Sequence, residues 1–332
     1  MRATILTEGG KHFGLGHIYR CEAIIQALKT LSIDCTFIIN GDSSIPELNL
    51  KTEFILQNWQ MDFENILDSK GDIVILDSYH TPLELIKTIV SEFKVAAYLD
   101  DFNRLEYPPG LVINSSITAH QLDYGKRNGT EYLLGTKYHP MRFEFWDCKN
   151  KVINRQVKEI LITLGGADIQ NLTPSILNLL KSRTGIRKNV VVGRGFSNID
   201  EIEQAADHTC DIRWFPDAAE MKELMMEADI AVSAAGQTIY ELARIGLPTI
   251  AIGVADNQNS NISGWQRAEF IEFAGWWYDP DLKTNIAEKL EHLMDYANRK
   301  KKSLTGSAQI DGSGALQIAQ QIIRRMISVS GT

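Results

Sequence analysis

The feature that most limits the folds open to this chain is a regular alternation of short apolar runs with helical patterns. In the first half, the apolar, largely β-branched runs ATILT, CTFIIN, DIVILD, KVAAYLD and GLVIN predict strands. Between them, AIIQALKTL and PLELIKTIVSEF place apolar residues at the spacing of an amphipathic helix. Strands that alternate with helices predict a mostly parallel sheet with helices on both faces.

A second series of the same kind begins near residue 157. Its predicted strands are EILITL, NVVVG, DIAVS and PTIAIG, and its predicted helices are NLTPSILNLLKS, AEMKELMMEA and TIYELARIG. The segment GTKYHPMRFEFWDCKNKVINRQ between the two series is polar and irregular, so we place a domain boundary near residues 146–155. The sequence therefore predicts an α/β protein with two doubly wound, Rossmann-like domains.

The length of the chain also favours two domains, because 332 residues are more than one hydrophobic core usually holds. We expect an N-terminal domain over residues 1–150 and a C-terminal domain over residues 151–310. The run GALQIAQQIIRRMISV predicts a helix within residues 311–332, long enough to pack back on the N-terminal domain.

The charge and composition of the chain argue against several classes of function. The formal net charge is −8, which argues against a general nucleic-acid-binding or anionic-membrane-binding protein. No apolar run is long enough to span a membrane and no secretory signal is visible, so we expect a cytoplasmic protein, a monomer or weak oligomer. The cysteines are scattered and form no CxxC pair, which argues against a zinc site or a disulfide framework; they are Cys21, Cys35, Cys148 and Cys210.

The stretch GGKHFGLGHIYRCEAIIQAL, residues 9–28, predicts a glycine loop that leads from a strand into a helix. His17 lies near the N-terminus of that helix. One interpretation is a histidine that caps or packs a tight turn. The other is a catalytic base, because the partial positive charge of a helix N-terminus keeps the imidazole neutral and because Gly14 and Gly16 let a ligand approach the backbone. Loops that follow parallel strands are also where ligands bind.

Three loops of the second half follow predicted strands and so meet at one edge of a sheet: TLGGAD, SAAGQTIYELARIGLP and ADNQNSN. Backbone N–H groups from Gly236 to Thr238, at a helix start, can hold a diphosphate. Glu241, one turn further on, either contacts a ribose diol or complements the helix dipole. The sequence has no GxGxxG after its first strand and no GxxxxGK(S/T), so we expect no dinucleotide cofactor. It has no pair of histidines at helical spacing and no cluster of cysteines, so we expect no metal.

The run SAAGQTIYELARIGLPTIAI, followed by NQ, resembles the nucleotide-binding signature of the GT-B glycosyltransferases, especially the MurG-type enzymes that bind UDP-N-acetylglucosamine. A narrower resemblance spans almost the whole chain. It is carried by GLGHIYRC, DSY at 77–79, LDD at 99–101, LLGTKYHPMRFEF at 133–145, LGGAD at 164–168 and DGSGA at 311–315. Together these motifs are similar to those of the UDP-2,4-diacetamido-2,4,6-trideoxy-β-L-altropyranose hydrolases of pseudaminic acid biosynthesis.

The resemblance implies a GT-B-like fold whose two domains face a central cleft, and a metal-independent hydrolase that releases UDP from a UDP-linked amino sugar. His17 matches the histidine of the family's GxGH motif, taken there as the base that activates water. The expected substrate-binding residues are Gly14, Gly16, Arg20, Tyr79, Asp101, Arg142, Asn257 and Gln258. The expected nucleotide-binding residues are Gly165, Gly166, Phe215, Ala235, Gly236, Gln237, Thr238 and Glu241.

Structural alternatives stand beside several of these roles. Tyr79 can simply pack at a strand end, Asp100 and Asp101 can cap the following turn, and Arg142 can pair with a buried acid. The two amides of ADNQNSN can be ordinary loop polar groups. For the whole chain, a true glycosyltransferase is the main alternative, because a sugar hydroxyl can replace water as the nucleophile. A protein that binds a nucleotide sugar without turning it over is the other alternative.

Overall fold

The computed structural model describes residues 1–10, 14–43, 45, 50–63, 71–149 and 151–330. The chain divides into two compact units. The first comprises Met1–Trp146 together with Gly312–Thr332, and the second comprises Asp147–Asp311. The chain therefore leaves the first unit once and returns to it for its C-terminal helix.

The first unit contains a parallel sheet with seven strands among the described residues. They are β1 Arg2–Gly9, β2 Asp34–Gly41, β3 Ile55–Leu56, β4 Ile73–Asp77, β5 Val95–Leu99, β6 Gly110–Asn114 and β7 Thr130–Leu134. Their spatial order is β3-β2-β1-β4-β5-β6-β7, with Leu6 of β1 in register with Ile38 of β2 and Leu76 of β4. The order changes direction between β1 and β4, and the carboxyl ends of those two strands therefore border a crevice suited to ligands.

Helices cover both faces of this sheet. α1 (Gly16–Thr30) and the C-terminal helix α10 (Gly314–Ser330) pack on one face, where Ile5, Ile24 and Ile318 belong to a single apolar cluster. α2 (Leu83–Val90) packs on the other face, in a cluster with Trp59 and Tyr98. The apolar side chains predicted to form one face of α1 are buried, because that face lies on the sheet.

The second unit contains a six-stranded parallel sheet over the described residues. Its strands are β8 Glu159–Thr163, β9 Arg187–Val192, β10 Cys210–Trp214, β11 Ile230–Ala234, β12 Thr249–Gly253 and β13 Ile271–Trp276. The spatial order β10-β9-β8-β11-β12-β13 changes direction between β8 and β11. The crevice of this unit is therefore expected at the carboxyl ends of β8 and β11.

Seven helices surround the second sheet in the described part of the chain. They are α3 Leu172–Leu180, α4 Ile199–Ala205, α5 Ala218–Glu227, α6 Thr238–Ile245, α7 Asn259–Arg267, α8 Leu282–Met294 and α9 Tyr296–Gln309. Buried Arg299 of α9 donates to the carbonyls of Leu293 and Met294, and also to those of Asn154 and Arg155. One side chain thus caps α8 and holds the segment that enters this unit.

All nine strands predicted from the sequence are present, and the four that the sequence pattern missed are the edge strands of the two sheets. β3 and β7 are the edges of the first sheet, and β10 and β13 are the edges of the second. Central strands such as β4 and β11 are buried at every residue, whereas β3 and β10 have no buried residue. An edge strand has one neighbour and needs less apolar surface, so its sequence resembles a loop.

None of the helices in the described ranges is both long enough and apolar enough to cross a membrane.

Candidate active site

In the first unit, a cluster of titratable side chains lies where β1 and β4 end. His17 is the second residue of α1, and Asp77 is the last residue of β4. Residues 11–13 of the glycine loop lie outside the described residues, while Gly10 and Gly14 on either side exchange backbone hydrogen bonds of 3.0 and 2.8 Å. The predicted order of strand, glycine loop and helix is therefore confirmed.

His17 and Asp77 form a buried pair. His17 Nδ1 lies 2.7 Å from Asp77 Oδ1, and the two side chains are 10% and 0% exposed. Arg20 Nη2 lies 3.1 Å from the same nitrogen, a contact in which Nδ1 would have to accept. The shorter contact to a carboxylate is the stronger one, so we assign the hydrogen to Nδ1, which donates to Asp77. The other ring nitrogen, Nε2, then keeps its lone pair and can accept a proton.

Each oxygen of the Asp77 carboxylate accepts hydrogen bonds from two donors. Oδ1 accepts from His17 and from Arg20 Nη2, while Oδ2 accepts from Arg20 Nε at 2.5 Å and from the Cys21 thiol at 3.5 Å. Burial alone would raise the pKa of Asp77, but the charge of Arg20 and the contact with His17 outweigh it and hold the pKa well below its usual range. Asp77 is therefore charged, and its orientation is fixed.

Arg20 links Asp77 to a second buried carboxylate. Its Nη1 donates to Asp101 Oδ2 at 2.6 Å, and the Tyr79 hydroxyl donates to the same oxygen. The Tyr79 ring stands edge-on to the His17 ring, with centroids 4.5 Å apart. Burial raises the pKa of the Tyr79 hydroxyl, which therefore stays protonated and acts as a donor. The contacts of Arg20 and Tyr79 join both acids and the histidine into one network.

Other first-unit residues expected at the site take different positions. Gly14 has a φ of +74° with open space around the position of a Cβ, and Gly16 begins α1. The Arg142 guanidinium lies 5.4 Å from the centre of the Phe145 ring, a cation–π contact. Asp100 accepts from the backbone N–H groups of Phe102 and Arg104, so the turn-capping interpretation holds for Asp100. Asp101, in contrast, is part of the His17 network.

Two residues near the network were absent from the site expected from sequence. Asp77 is one, although its place at the carboxyl end of a central strand, just before Tyr79, was an available signal. His139 is the other. Its Nδ1 lies 3.4 Å from Ser115 Oγ, and burial lowers the pKa of His139 to about 3, so the ring is neutral.

In the second unit, the loop after β8 has its backbone open to a ligand. Gly165 has a φ of +85°, and both Gly165 and Gly166 have open space where a Cβ would stand. The carbonyl of Gly166 accepts from the N–H of Gly195 at 3.0 Å, which fixes the loop against the end of β9. Asp168 accepts from the first N–H groups of α3 and serves as its cap. The predicted glycine pair therefore lies at the β8–β11 crevice.

The loop after β11 borders the same crevice. Asn261 Nδ2 donates to the carbonyls of Ala235 and Gly236 at 2.7 and 3.1 Å, so the loop is held from the side of α7. α6 begins at Thr238, directly after Gln237, with no side-chain cap at its N-terminus. Glu241 lies in the first turn of α6 and is half-buried. The first N–H groups of α6 can therefore bind an anion, as the sequence predicts.

Three more predicted residues follow strands of the second sheet. Phe215 follows β10 with a φ of 50°, is 42% exposed, and has the Arg194 guanidinium 5.1 Å from its ring centre. Gln258 Oε1 accepts from the N–H of Val254 at 2.9 Å, which fixes the amide after β12. Asn257 is exposed in the 3-10 turn beside it. All three lie at the carboxyl edge of their sheet.

Within the part of the chain that the structure describes, no group of three or more His, Cys, Asp and Glu side chains is placed to hold a metal ion.

A comparison with protein families matches most of the second unit and the first part of α10. Residues 159–322 match the glycosyltransferase family 28 C-terminal domain. This span contains all six strands of the second sheet, including the loops after β8 and β11.

Three curated proteins are similar to the chain. Uncharacterized protein MJ1062 of Methanocaldococcus jannaschii is 27% identical, over 76% of this chain and 55% of that protein. The pseudaminic acid cytidylyltransferase and UDP-2,4-diacetamido-2,4,6-trideoxy-β-L-altropyranose hydrolase of Helicobacter pylori is 25% identical, over 90% and 52%. Spore coat polysaccharide biosynthesis protein SpsG of Bacillus subtilis is 23% identical, over 96% of both chains. The chain thus spans about half the length of the first two relatives.

Solved structures establish the fold class. MurG of Acinetobacter baumannii is 12% identical with a TM-score of 0.67, over 98% of this chain and 100% of that chain. UDP-GlcNAc 2-epimerase of Neisseria meningitidis is 13% identical with a TM-score of 0.61, over 98% and 100%. The predicted fold class is confirmed: two parallel-sheet, Rossmann-like α/β domains of the GT-B type.

Proposed function

We propose that this GT-B chain is an enzyme that acts on a nucleotide sugar, with His17 as its general base. The observation that carries the proposal is the pair of His17 and Asp77, in which a 2.7 Å hydrogen bond to a buried carboxylate orients the ring and leaves Nε2 as the proton acceptor. A histidine that only packed a turn would not need a charged partner, since burying a charge is costly. The pair therefore favours the base over the turn-packing interpretation.

The second unit is proposed to bind the nucleotide. The open backbone at Gly165 and Gly166, together with the positive end of α6, supports binding of a diphosphate. We assign the ribose hydroxyls to Glu241 and the uracil to Phe215, whose exposed ring can stack on a base. The Neisseria meningitidis structure, which shares the fold, contains bound UDP-GlcNAc and so supports a UDP-sugar as the ligand class.

The reaction is proposed to be hydrolysis. Water attacks the anomeric carbon and forms a new C–O bond, the bond from that carbon to the UDP oxygen breaks, and its electron pair leaves with UDP. His17 Nε2 takes the proton of the attacking water. Backbone N–H dipoles around Gly166 and Gly236 stabilise the charge that develops on the leaving diphosphate.

The substrate is proposed to be a UDP-linked diacetamido-trideoxy hexose, in the biosynthesis of a pseudaminic-type acid. Support comes from the sequence motifs and from the name of the Helicobacter pylori relative, which includes a hydrolase of such a sugar. That name contains two activities, and the chain spans 52% of that protein. The proposal concerns the hydrolase activity alone, because the motifs of this chain resemble the hydrolases.

A glycosyltransferase is the second candidate. The match of residues 159–322 to the glycosyltransferase family 28 C-terminal domain favours it. In this reaction a sugar hydroxyl replaces water as the nucleophile, while the base and the nucleotide site keep their roles.

The deciding experiment is incubation with UDP-sugars, the diacetamido-trideoxy sugar among them, with and without candidate acceptors. Hydrolysis predicts UDP and free sugar without an acceptor, whereas transfer predicts turnover only when an acceptor is present. Tight binding without turnover in every mixture would contradict an enzyme. The His17→Asn variant should bind UDP like the parent and lose about 10²–10⁴-fold in rate. Retention of more than about a tenth of the parent rate would rule out a base role of that size.

A further inference from the structure

The loop that carries Tyr79 is held from both sides by charged side chains that have no role in the proposed chemistry. We propose that Glu8 and Arg104 are positioning residues, and we call them the Tyr79 clamp. The inference rests on the proposed function, in which Tyr79 stands against the base, His17.

Glu8 holds the loop from the side of β1. Its side chain is 1% exposed. Oε1 accepts from the Tyr79 N–H at 2.9 Å and from His80 Nδ1 at 2.8 Å, and Oε2 accepts from Ser78 Oγ at 2.7 Å. An apolar side chain could fill this place without the cost of burying a charge, so stability alone does not account for a carboxylate here. What the carboxylate adds is a fixed position for the backbone of residues 78–80.

Arg104 holds the same loop through its carbonyl groups. Nη1 donates to the Tyr79 carbonyl at 2.5 Å, and Nη2 donates to the Ser78 carbonyl at 2.8 Å and to the Tyr107 hydroxyl at 3.1 Å. The backbone N–H of Arg104 donates in turn to Asp100 Oδ2 at 2.7 Å. The planar guanidinium thus binds two successive carbonyl groups through separate nitrogens in one rigid geometry, whereas a lysine would offer a single nitrogen on a flexible stem.

The clamp leaves the Tyr79 ring little freedom. The N–H and the carbonyl of Tyr79 are both bound, so the peptide units on either side of it cannot rotate. The guanidinium groups of Arg20 and Arg104 lie 5.9 and 5.6 Å from the centre of the ring. Its edge contacts with His17 and Phe102 place ring centroids 4.5 and 5.5 Å apart. Loops are usually mobile, and this one is fixed where it touches the base. Loosening the clamp should therefore displace the Tyr79 ring from its contact with His17.

The test uses Glu8→Gln and Arg104→Lys, with a matched control for each. Glu84→Gln changes a glutamate whose side chain is 83% exposed and which pairs with Lys87 on α2. Arg127→Lys changes an arginine that donates to the Leu105 carbonyl and to Glu106. We expect kcat to fall about 10- to 100-fold in the clamp variants, because a displacement of about 1 Å can cost 10²-fold. We expect the dissociation constant of UDP to stay within about twofold of the parent, and both controls to match the parent.

A coupling measurement separates positioning from general destabilisation. If Glu8 acts through Tyr79, Glu8→Gln should lower kcat by less than about twofold in a Tyr79→Ala background. An equal loss in both backgrounds would overturn the proposal, because the effect would then not pass through Tyr79.

A second readout needs no turnover. The imidazole proton resonances of His17, assigned by their absence in His17→Asn, sense the ring current of Tyr79. They should shift in Glu8→Gln and Arg104→Lys and stay in place in the two controls, and unchanged resonances would overturn the clamp. A parent protein that hydrolyses no UDP-sugar would contradict the proposed function alone, since the resonances would still decide the clamp. If Glu8→Gln fails to fold, Arg104→Lys carries both measurements.

Discussion

Replacing Asp77 by asparagine tests whether the carboxylate orients the proposed base. The amide presents one oxygen and one NH2 group where Oδ1 and Oδ2 now accept from His17 Nδ1 and Arg20 Nε. Both partners are donors, so one of them must face the amide NH2. When His17 faces it, the ring changes tautomer: Nδ1 becomes the acceptor and Nε2 carries the hydrogen. That tautomer cannot take a proton from water.

The fall of kcat in Asp77→Asn cannot exceed the contribution that His17 itself makes to the rate. A general base contributes about 10²–10⁴-fold, so Asp77→Asn should lower kcat by up to that factor and by no more than His17→Asn does. The corresponding tautomer error in serine proteases costs about 10⁴-fold. The double variant should be about as slow as the slower single variant, because both residues act as one unit. Stability should fall by about 1–3 kcal/mol, since Arg20 keeps its 2.6 Å bond to Asp101.

The assay is the initial rate of UDP release at saturating substrate, with calorimetric UDP titration and thermal unfolding on the same samples. Asp72→Asn is the matched control: Asp72 immediately precedes β4, at the opposite end from Asp77, and pairs with exposed Lys94 at 2.8 Å. An exposed pair of this kind contributes about 0–1 kcal/mol, so the control should keep the parent rate. An Asp77→Asn rate above about a tenth of the parent, or rate losses that add in the double variant, would refute an orienting role for Asp77.

Three further predictions concern the nucleotide, metal dependence and pH. Glu241→Ala should raise the dissociation constant of UDP roughly 10- to 100-fold with little change in the chemical step, and an unchanged affinity in calorimetry would leave Glu241 as a helix-dipole acid. Activity should persist after dialysis against EDTA, and activity that returned only with one added divalent ion would contradict the proposed role of backbone amides. Burial lowers the pKa of His139 from 6.5 to about 3. As the pH falls from 6.5 toward 3, this histidine is protonated in the unfolded chain but neutral in the folded one, so the folded state loses stability. In urea, the free energy of unfolding should fall by about 2 kcal/mol between pH 6.5 and 5, and the fall should be smaller in His139→Gln. Equal falls in both proteins would contradict this assignment.

The sequence was sufficient for the central part of each sheet and for the local setting of His17. Strands such as β4 and β11 are buried on both faces, so they read as continuous apolar runs whatever their neighbours are. The apolar spacing of α1 likewise depends only on the helical period. A glycine loop between such a strand and such a helix is a local feature, so the sequence alone places His17 at the carboxyl edge of a sheet.

The tertiary structure decided the edge strands and the partners of His17. An edge strand is defined by having one neighbour, which its own residues do not encode, and β3 and β10 accordingly lack a buried run. His17 and Asp77 are 60 residues apart in the chain and meet because β4 is inserted beside β1, out of sequence order. The spacing of apolar residues reflects the period of a single helix or strand, whereas an ion pair between two elements depends on strand order and register. The hydrogen on His17 Nδ1, and with it the free Nε2, therefore follows from the packing of the fold.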